Sequence, residues 1–433
     1  MSLSEQWHEI VEHMMEARRI IEALRCGVPN AHAVGALGCR QPAVERRFDG
    51  LISKPQAVPC GLLIKGGFGT GKSHTLEFLH QRALQRKFVC SKITINKETP
   101  LHDPLKLFRA AAESAIVPGR CGNGIREAAR TIDFASKRYR ELCDWAHSAN
   151  PSVDARLAAS LLIFESSKAD AETRDRIMQF WTGDPLGASY VRDCLRTLRP
   201  GVHREFHTAR QRHLALQRFQ FISRLVLAAG YPGWVILVDE VELIGCYSIL
   251  QRAKSYAELA RLTGRAPAFT CPNLAVVFAI TDDFDAAVLE GKADLTGVSA
   301  LLKERRNSTE EDFAPLAVLG MKSIQNGAIS LNPPDMAEIR TLYDAVKQLH
   351  AKAYSWSPPD VTWPEDLSTT RMRHYVKRWI TEWDMRRMYP TEEIVVEHTN
   401  IKTDYSETMD GDSDSVEAGD RKSAIDEILE RFR

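Results

Sequence analysis

Eight consecutive residues, Gly66–Ser73, have the types and spacing of a phosphate-binding loop. They read Gly-Gly-Phe-Gly-Thr-Gly-Lys-Ser and fit the Walker A pattern G-x-x-x-x-G-K-[ST]. Glycines let successive backbone N–H groups wrap phosphate oxygens closely. Lys72 would add a mobile positive charge, and the Ser73 hydroxyl is the expected ligand of Mg²⁺. A helix that follows the loop would also attract anions with its N-terminal dipole.

The flanking sequence supplies the elements that such a loop requires. An apolar run, Cys60–Lys65, predicts a strand before the loop, and leucines at helical spacing in His74–Leu84 predict a helix after it. The residues predicted to bind nucleotide phosphates are Gly66, Gly67, Phe68, Gly69, Thr70, Gly71, Lys72, Ser73 and His74. The predicted ligand is therefore ATP together with Mg²⁺.

A second motif supplies acids that could work on the same nucleotide. Trp234–Val238 is an apolar strand that ends in Asp239 and Glu240, which is the Walker B form. Buried parallel strands deliver such acids to their carboxyl ends, where ligands bind in open α/β sheets. We expect Asp239 to hold Mg²⁺ and Glu240 to polarise the attacking water. Thr281 follows a further strand and is a candidate contact to the γ-phosphate.

The pattern of the chain predicts four regions. Residues 1–59 are an N-terminal helical segment expected to pack on the core, and residues 60–320 are an α/β core with a helical insertion at about 101–230. Residues 321–390 form a helical lid. Residues 391–433 form an acidic flexible tail that ends in a short amphipathic helix. That helix could dock into a partner's groove or fold back onto its own body.

Composition restricts the class of protein. The 433 residues are 44% hydrophobic and 26% charged, which is typical of a soluble globular protein. No apolar run reaches about 18 residues, so no membrane span is expected. The nine cysteines are scattered without a C-x-x-C pair, and they favour reduced thiols in a cytoplasmic protein over a zinc site.

Charge is balanced overall but unevenly distributed. Residues 391–433 hold 13 acids and 5 bases, so the rest of the chain carries a net charge of +8. Eight arginines cluster with only two acids between positions 192 and 224, and they could contact DNA phosphates without sequence preference or form a solvated helix face. These arginines are Arg192, Arg196, Arg199, Arg204, Arg210, Arg212, Arg218 and Arg224.

The order of motifs resembles an AAA+ ATPase, and several segments resemble one family more closely. The segments are Arg18–Pro29, Gly66–His74, Lys97–Pro104, Val238–Glu242 and Tyr375–Ile380. They are similar to the BrxD family, which comprises ATP-binding proteins of bacterial BREX phage-defence systems. The resemblance implies an α/β fold with a parallel sheet of order 5-1-4-3-2 and an α-helical lid. The resemblance also implies a likeness to origin-recognition proteins, with which the family is compared.

The resemblance also implies roles for residues outside the two motifs. Arg305 or Arg306 would be an arginine finger that acts on a neighbour's ATP, which implies a homo-oligomer; both could instead be surface arginines. Arg373 is the favoured sensor arginine of the lid, and Arg371 is the alternative. Val28 and Pro29 would flank the adenine.

Two classes of function remain open from the sequence. One is an ATPase that acts with DNA and a helicase partner in BREX defence. The other is a nucleotide-gated binding or signalling module with little hydrolysis. After the lid only about forty residues remain, with an acidic composition, so the winged-helix domain of origin-binding relatives is not expected and sequence-specific DNA binding is in doubt.

Overall fold

The apolar segments around the two motifs form a five-stranded sheet in the computed structural model of this protein. The strands are β1 (Gly61–Lys65), β2 (Val89–Thr94), β3 (Trp234–Asp239), β4 (Leu274–Ile280) and β5 (Ala328–Ser330). Neighbouring strands are parallel, and their order is β2-β3-β4-β1-β5, which reads 5-1-4-3-2 from the β5 edge. Central strands of parallel sheets are covered on both faces, which explains why β4 is apolar and buried throughout.

Helices make up most of the remaining chain. The structure describes residues 3–28, 30–53, 61–120, 122–148, 153–166, 169–198, 211–266, 269–304, 313–361 and 372–392. The helices are α1 (Leu3–Cys26), α2 (Ala31–Leu37), α3 (Pro42–Ser53), α4 (Lys72–Gln85), α5 (Pro104–Glu113), α6 (Gly124–Arg130), α7 (Lys137–His147), α8 (Ala155–Glu165), α9 (Ala171–Thr182), α10 (Ala188–Leu198), α11 (Gln211–Ala228), α12 (Ile249–Leu262), α13 (Asp294–Glu304), α14 (Ala314–Gly327), α15 (Met336–Tyr354) and α16 (Met372–Met388). A 3-10 turn, Val241–Cys246, follows β3, and a π-helical turn, Asp285–Glu290, follows β4. Within these ranges, no helix has both the length and the apolar character needed to cross a membrane.

The strands contribute to two apolar cores, one on each face of the sheet. Leu63 and Ile236 lie in the core that contains the helices between β2 and β3. Their chain neighbours Ile64 and Leu237 lie in the other core, with side chains of α3 and α4. Successive side chains of a strand point to opposite faces, so a single run of apolar residues can serve both cores.

The predicted helical insertion comprises the seven helices α5 to α11, between β2 and β3. Aromatic rings hold it together: the ring centroids of Trp181 and Phe221 are 5.4 Å apart, and Phe164 lies 4.7 Å from Trp181. Phe219 of α11 stacks on Trp234 of β3 at 5.9 Å. The insertion core is therefore continuous with the sheet core.

The N-terminal helix α1 packs with the two helices of the predicted lid. Ile21 of α1, Val346 of α15 and Trp379 of α16 belong to one buried apolar cluster. The sequence predicts a helical segment at residues 1–59 that packs on the core. In the structure, α3 packs beside β1, whereas α1 shares its core with α15 and α16.

A hydrogen-bonded network around Asp384 reinforces the contact between α1 and these helices. The Asp384 carboxylate accepts from Arg25 Nη2 at 2.5 Å and lies 3.1 Å from His350 Nε2. Trp356 Nε1 donates to His350 Nδ1, so the proton of a neutral His350 lies on Nε2 and points to Asp384. Burial alone would raise the pKa of Asp384, but the His350 hydrogen bond and the Arg25 charge outweigh it and lower that pKa.

Gly320 of α14 provides a direct test of the close packing of α14 against α12. A Cβ added there would lie 2.0 Å from the carbonyl oxygen of Tyr256. We expect Gly320→Ala to lower the free energy of unfolding by more than about 2 kcal/mol, because the helices must separate. Gly50 of α3 has open space around an added Cβ. The matched control Gly50→Ala should raise that free energy by about 0.5–1 kcal/mol in urea unfolding. Equal stability of the two variants would contradict this packing.

Candidate functional site

The phosphate-binding loop leaves β1 and ends at the first residue of α4, Lys72. Gly69 and Gly71 have φ of 82° and 106°, in the left-handed region that favours glycine. A Cβ at Gly66 would lie 2.6 Å from Thr70 Oγ1, so this position also requires glycine. Thr70 closes the loop, since its hydroxyl donates to the Gly67 carbonyl at 2.8 Å. The glycine spacing in the sequence is thus explained by backbone conformation and by close approach.

Lys72 is a buried cation held by two oxygens. Its side chain is only 6% exposed, and Nζ donates to the Gly66 carbonyl at 3.0 Å. Nζ also lies 3.4 Å from Oε1 of Glu242, a carboxylate buried in the turn after β3. Glu242 is not among the site residues that the sequence motifs predict. The sequence does offer a signal for it, because Glu242 is a third acid after the same strand, two residues beyond Glu240.

Asp239 and Glu240 lie at the carboxyl end of β3, as the motif predicts. Oδ1 of Asp239 accepts from the backbone N–H of Glu240 at 3.0 Å. Glu240 has φ 57° and ψ 34°, a left-handed conformation that is uncommon for a residue other than glycine. Burial raises the pKa of Glu240, and the negative charge of Asp239 adds to this effect while Lys72 and Arg373 oppose it.

The end of β4 brings further polar side chains to the loop. The backbone N–H of Gly66 donates to the Ile280 carbonyl at 3.2 Å, which fixes the loop beside this strand exit. The predicted site residue Thr281 is 1% exposed. Its neighbour Asp282 is exposed, and a Cβ added to Gly67 would lie 3.3 Å from its carboxylate. Asp282 is therefore a second acid beside the loop that the sequence analysis did not select.

Arg373 of α16 makes three contacts around the loop. Its backbone N–H donates to the Gly69 carbonyl at 3.2 Å, and its guanidinium Nη2 donates to the Gly27 carbonyl at 3.4 Å. The guanidinium carbon lies 5.1 Å from the centre of the Phe68 ring. The structure thus brings Arg373 to the predicted site. Four further residues with predicted lid, finger or adenine roles lie outside the described residues: Pro29, Arg305, Arg306 and Arg371.

A pocket opens beside the loop, between α1, α2, α15 and α16. Its apolar wall includes Leu24, Val28, Leu37, Leu342 and Val376, whereas its polar wall is the loop itself with Ser73 and Glu240. Val28, predicted to flank adenine, is more than half exposed there. The pocket therefore offers a polar end and an apolar end, as a nucleotide requires.

His74 fixes the wall of this pocket. Its Nε2 lies 2.7 Å from the Gly38 carbonyl, which can only accept, so Nε2 carries the proton. Burial lowers the pKa of His74, which keeps the ring neutral near pH 7. The role of His74 in this structure is therefore to tie the start of α4 to the residues that follow α2.

The predicted arginine cluster does not form one exposed surface. Arg192 and Arg196 on α10 are exposed. Arg218 is 2% exposed and donates to the carbonyls of Gly183 and Asp184, so its side chain belongs neither to a solvated helix face nor to an exposed DNA-binding surface. Arg224 is half-buried, with its guanidinium 4.0 Å from the Trp145 ring. The side chains of Arg199, Arg204, Arg210 and Arg212 lie outside the described residues. Both buried arginines serve packing of the insertion.

The arrangement suits a metal-assisted nucleotide site more than a protein-bound metal centre. Among the described residues, no group of three or more His, Cys, Asp and Glu side chains converges as metal ligands. Ser73 and Asp239 offer two oxygens, and Mg²⁺ in such sites takes its remaining ligands from phosphates and water. These residues fit the group that the sequence analysis predicted for them.

The chain matches the family described as BREX system ATP-binding protein BrxC/D. The match covers residues 13–120 and 206–385, more than half of the chain. It includes the loop, the acids after β3 and Arg373, and it omits helices α6 to α10 of the insertion. No curated protein matches the chain.

Two buried carboxylates near α4 should make opposite contributions to stability as pH changes. Burial raises the pKa of Glu242 to about 7, although Lys72 partly opposes the shift. The neighbouring His80, together with Lys92, lowers the pKa of Glu77 to about 2. The contribution of Glu242 to the free energy of unfolding is therefore fully present below pH 4.5, its ordinary pKa. This contribution is lost as the pH rises through about 7. Stability from Glu77 is present above 4.5 and is lost as pH falls towards 2.

We expect Glu242→Gln to gain stability relative to the wild type between about pH 5 and about pH 8, by up to about 3 kcal/mol. The control Glu77→Gln should be less stable than the wild type throughout this range, with a difference that shrinks only below pH 4.5. Urea unfolding without nucleotide measures both free energies. A stability difference for Glu242→Gln that stays constant over this range would contradict the raised pKa.

Proposed function

Because this chain belongs to the BREX system ATP-binding protein BrxC/D family, we propose that it binds and hydrolyses ATP in BREX phage defence. The observation that carries the proposal is the meeting of Lys72 with the acids that follow β3. These contacts bring the two motifs together at the carboxyl ends of β1 and β3, although the motifs are far apart in the sequence. They support a single site in which the loop holds the phosphates and the acids after β3 promote hydrolysis at the same end of the pocket.

Binding follows from the two ends of the pocket. Backbone N–H groups of Gly67–Ser73 would wrap the β- and γ-phosphates, and Lys72 would neutralise part of their charge. The apolar wall at Leu24, Val28 and Leu342 would take the base. Arg373, above the Phe68 ring, stands where a second positive charge could reach the phosphates.

Hydrolysis requires a base and a counter-charge for the phosphates. Ser73 and Asp239 would hold Mg²⁺, whose charge stabilises the transferred phosphoryl group when it is bound. Glu240 would accept a proton as a water oxygen bonds to the γ-phosphorus and the bond from that phosphorus to the bridging oxygen breaks. The products are ADP and inorganic phosphate. The raised pKa of Glu240 suits this role, because a base works best when its pKa lies near the operating pH.

The architecture supports an AAA+ assignment as part of this proposal. The support for it is the parallel five-stranded sheet, together with α15 and α16, which we assign to the lid. We include Arg305 or Arg306 as an arginine finger and a homo-oligomer as the active assembly. Both follow from the resemblance, since an arginine finger acts on the nucleotide of a neighbouring subunit.

A nucleotide-gated binding module is the second candidate. The observation that favours it is the double attachment of α16, which contacts the loop through Arg373 and α1 through Asp384. A nucleotide that displaced Arg373 from Gly69 would alter one attachment and could thereby shift the lid. In this reading, ATP sets a conformation and hydrolysis is slow.

Glu240→Gln separates these two candidates. If the chain is an ATPase, we expect this change to lower phosphate release at least about 100-fold while ATP binding persists, because only proton acceptance is lost. Lys72→Ala should instead weaken ATP binding itself, and Glu141→Gln on the exposed face of α7 should change neither. Phosphate release and equilibrium ATP binding are measured on each variant. Wild-type turnover in Glu240→Gln would refute the assigned base, and wild-type turnover near zero would favour the gated module.

DNA association and a helicase partner extend the proposal beyond the nucleotide site. The support for DNA is electrostatic: the body outside residues 391–433 has a net charge of +8, and Arg192 and Arg196 are exposed on α10. Such contacts are non-specific and depend strongly on salt. The helicase partner follows from the resemblance to BrxD proteins, and co-purification of the two products would test it.

The double variant Arg192→Glu with Arg196→Glu tests this DNA surface. We expect weaker duplex binding and a salt dependence whose logarithmic slope is smaller by roughly 2, since two phosphate contacts are lost. Arg46→Glu with Arg47→Glu on the exposed face of α3 is a charge-matched control on the opposite side of the sheet. Fluorescence anisotropy at several salt concentrations measures binding. Equal losses in both double variants would indicate a general charge effect, and no binding at low salt would argue against a DNA role.

A further inference from the structure

The ammonium group of Lys72 is already engaged by oxygens of the protein itself. Its Nζ is turned to the Gly66 carbonyl of its own loop, and it faces the Glu242 carboxylate at 3.4 Å. Both contacts lie inside the protein, since the two side chains are 6% and 4% exposed. In the proposed chemistry, the Glu242 carboxylate competes with nucleotide phosphates for this ammonium group, whereas the neutral Gly66 carbonyl can stay bound to one of its three N–H donors. The pair is therefore a resting arrangement that competes with the bound state.

Glu242 has features that a purely structural acid lacks. It is buried, and its Oε2 has no hydrogen-bond partner among the described residues. A buried carboxylate oxygen without a donor is costly, so the contribution of Glu242 to folding does not account for an acid at this place. The charged groups that face Glu242 are Lys72 from α4, Asp239 from β3 and Glu240 from its own turn. Lys72 is the one cation in this set.

We propose that Glu242 is a positioning residue that holds Lys72 in its resting place until nucleotide phosphates displace it. The inference rests on the proposed function, because it assumes that Lys72 binds phosphates. Glu240 and Glu242 then have separate tasks, although they stand two residues apart. Glu240 lines the pocket and would act on water, whereas Glu242 sets the fraction of molecules whose Lys72 is available to the nucleotide.

Competition of this kind lowers apparent affinity without altering any contact to the ligand. A site whose binding-competent form is only partly populated binds its ligand more weakly by that fraction. Removing the Glu242 charge should therefore strengthen nucleotide binding, which is the opposite of what loss of a phosphate-binding group would do. Because burial raises the pKa of Glu242 to about 7, the competition should also weaken as pH falls below 7.

The test is the affinity of ADP, without Mg²⁺, for the wild type and for Glu242→Gln, measured by titration calorimetry at about pH 6.5 and about pH 8.5. We expect the variant to bind on the order of tenfold more tightly at the higher pH, because a charged contact to Lys72 is lost. At the lower pH the ratio of the two affinities should approach one, because the wild-type carboxyl is then largely protonated. Protonation of ADP itself cancels in this ratio.

Two further variants make the result decisive. Glu242→Gln in a Lys72→Ala background should have no effect on affinity, since the competition acts only through Lys72. Glu77→Gln removes a different buried carboxylate, which lies on α4. The ratio of its ADP affinity to that of the wild type should be the same at both pH values. If Glu242→Gln fails to fold, Glu242→Asp serves instead. Its shorter side chain withdraws the carboxylate from Lys72, which lies 3.4 Å away in the wild type, so this variant should also bind ADP more tightly.

The outcomes separate this inference from the proposed function. Unchanged or weaker ADP binding in Glu242→Gln at about pH 8.5, with binding still weakened in Lys72→Ala, would overturn the role of Glu242 alone. Wild-type ADP binding in Lys72→Ala would overturn the phosphate-binding role of the loop and this inference with it. Tighter binding that disappears in the Lys72→Ala background would support both.

Discussion

The buried ammonium group of Lys72 is the constraint around which the site is organised. A cation removed from water must be compensated by nearby oxygens, because its desolvation costs several kcal/mol. The Gly66 carbonyl provides one oxygen and Glu242 provides the other. This requirement couples the start of α4 to the turn after β3, although β4 lies between β1 and β3 in the sheet. The same requirement places a carboxylate beside the ammonium group that would have to reach nucleotide phosphates.

Helix α16 connects this site to the N-terminal helix. Near its start, Arg373 contacts the loop at Gly69 and the end of α1 at Gly27. Near its other end, Asp384 accepts from Arg25 of α1, and the apolar cluster around Trp379 lies between the two contacts. One wall of the pocket is thus formed by α1 and α16 together. A movement of α16 relative to the loop must carry α1 with it or break these contacts.

Much of the fold could be predicted because its signals are local. The strand predicted at Cys60–Lys65 and the helix predicted at His74–Leu84 agree closely with β1 and α4. Apolar runs and capping residues specify such elements over a few turns of chain. The arginines near position 200 show where local reasoning fails. Arg218 and Arg192 look alike in the sequence. Arg218 is nevertheless buried, because its side of α11 faces the carbonyls of Gly183 and Asp184 and not water.

By itself, the sequence determined the conformation of the loop and the direction of its chemistry. Glycines at positions 69 and 71 permit the left-handed backbone, and an apolar strand places Asp239 and Glu240 at its carboxyl end. Only the tertiary structure decided which acid meets Lys72, that Asp282 stands beside Gly67, and that α1 packs with α15 and α16. The physical reason is that these contacts join residues distant in the chain. Their distances depend on how the whole sheet and its helices pack, which no local pattern encodes.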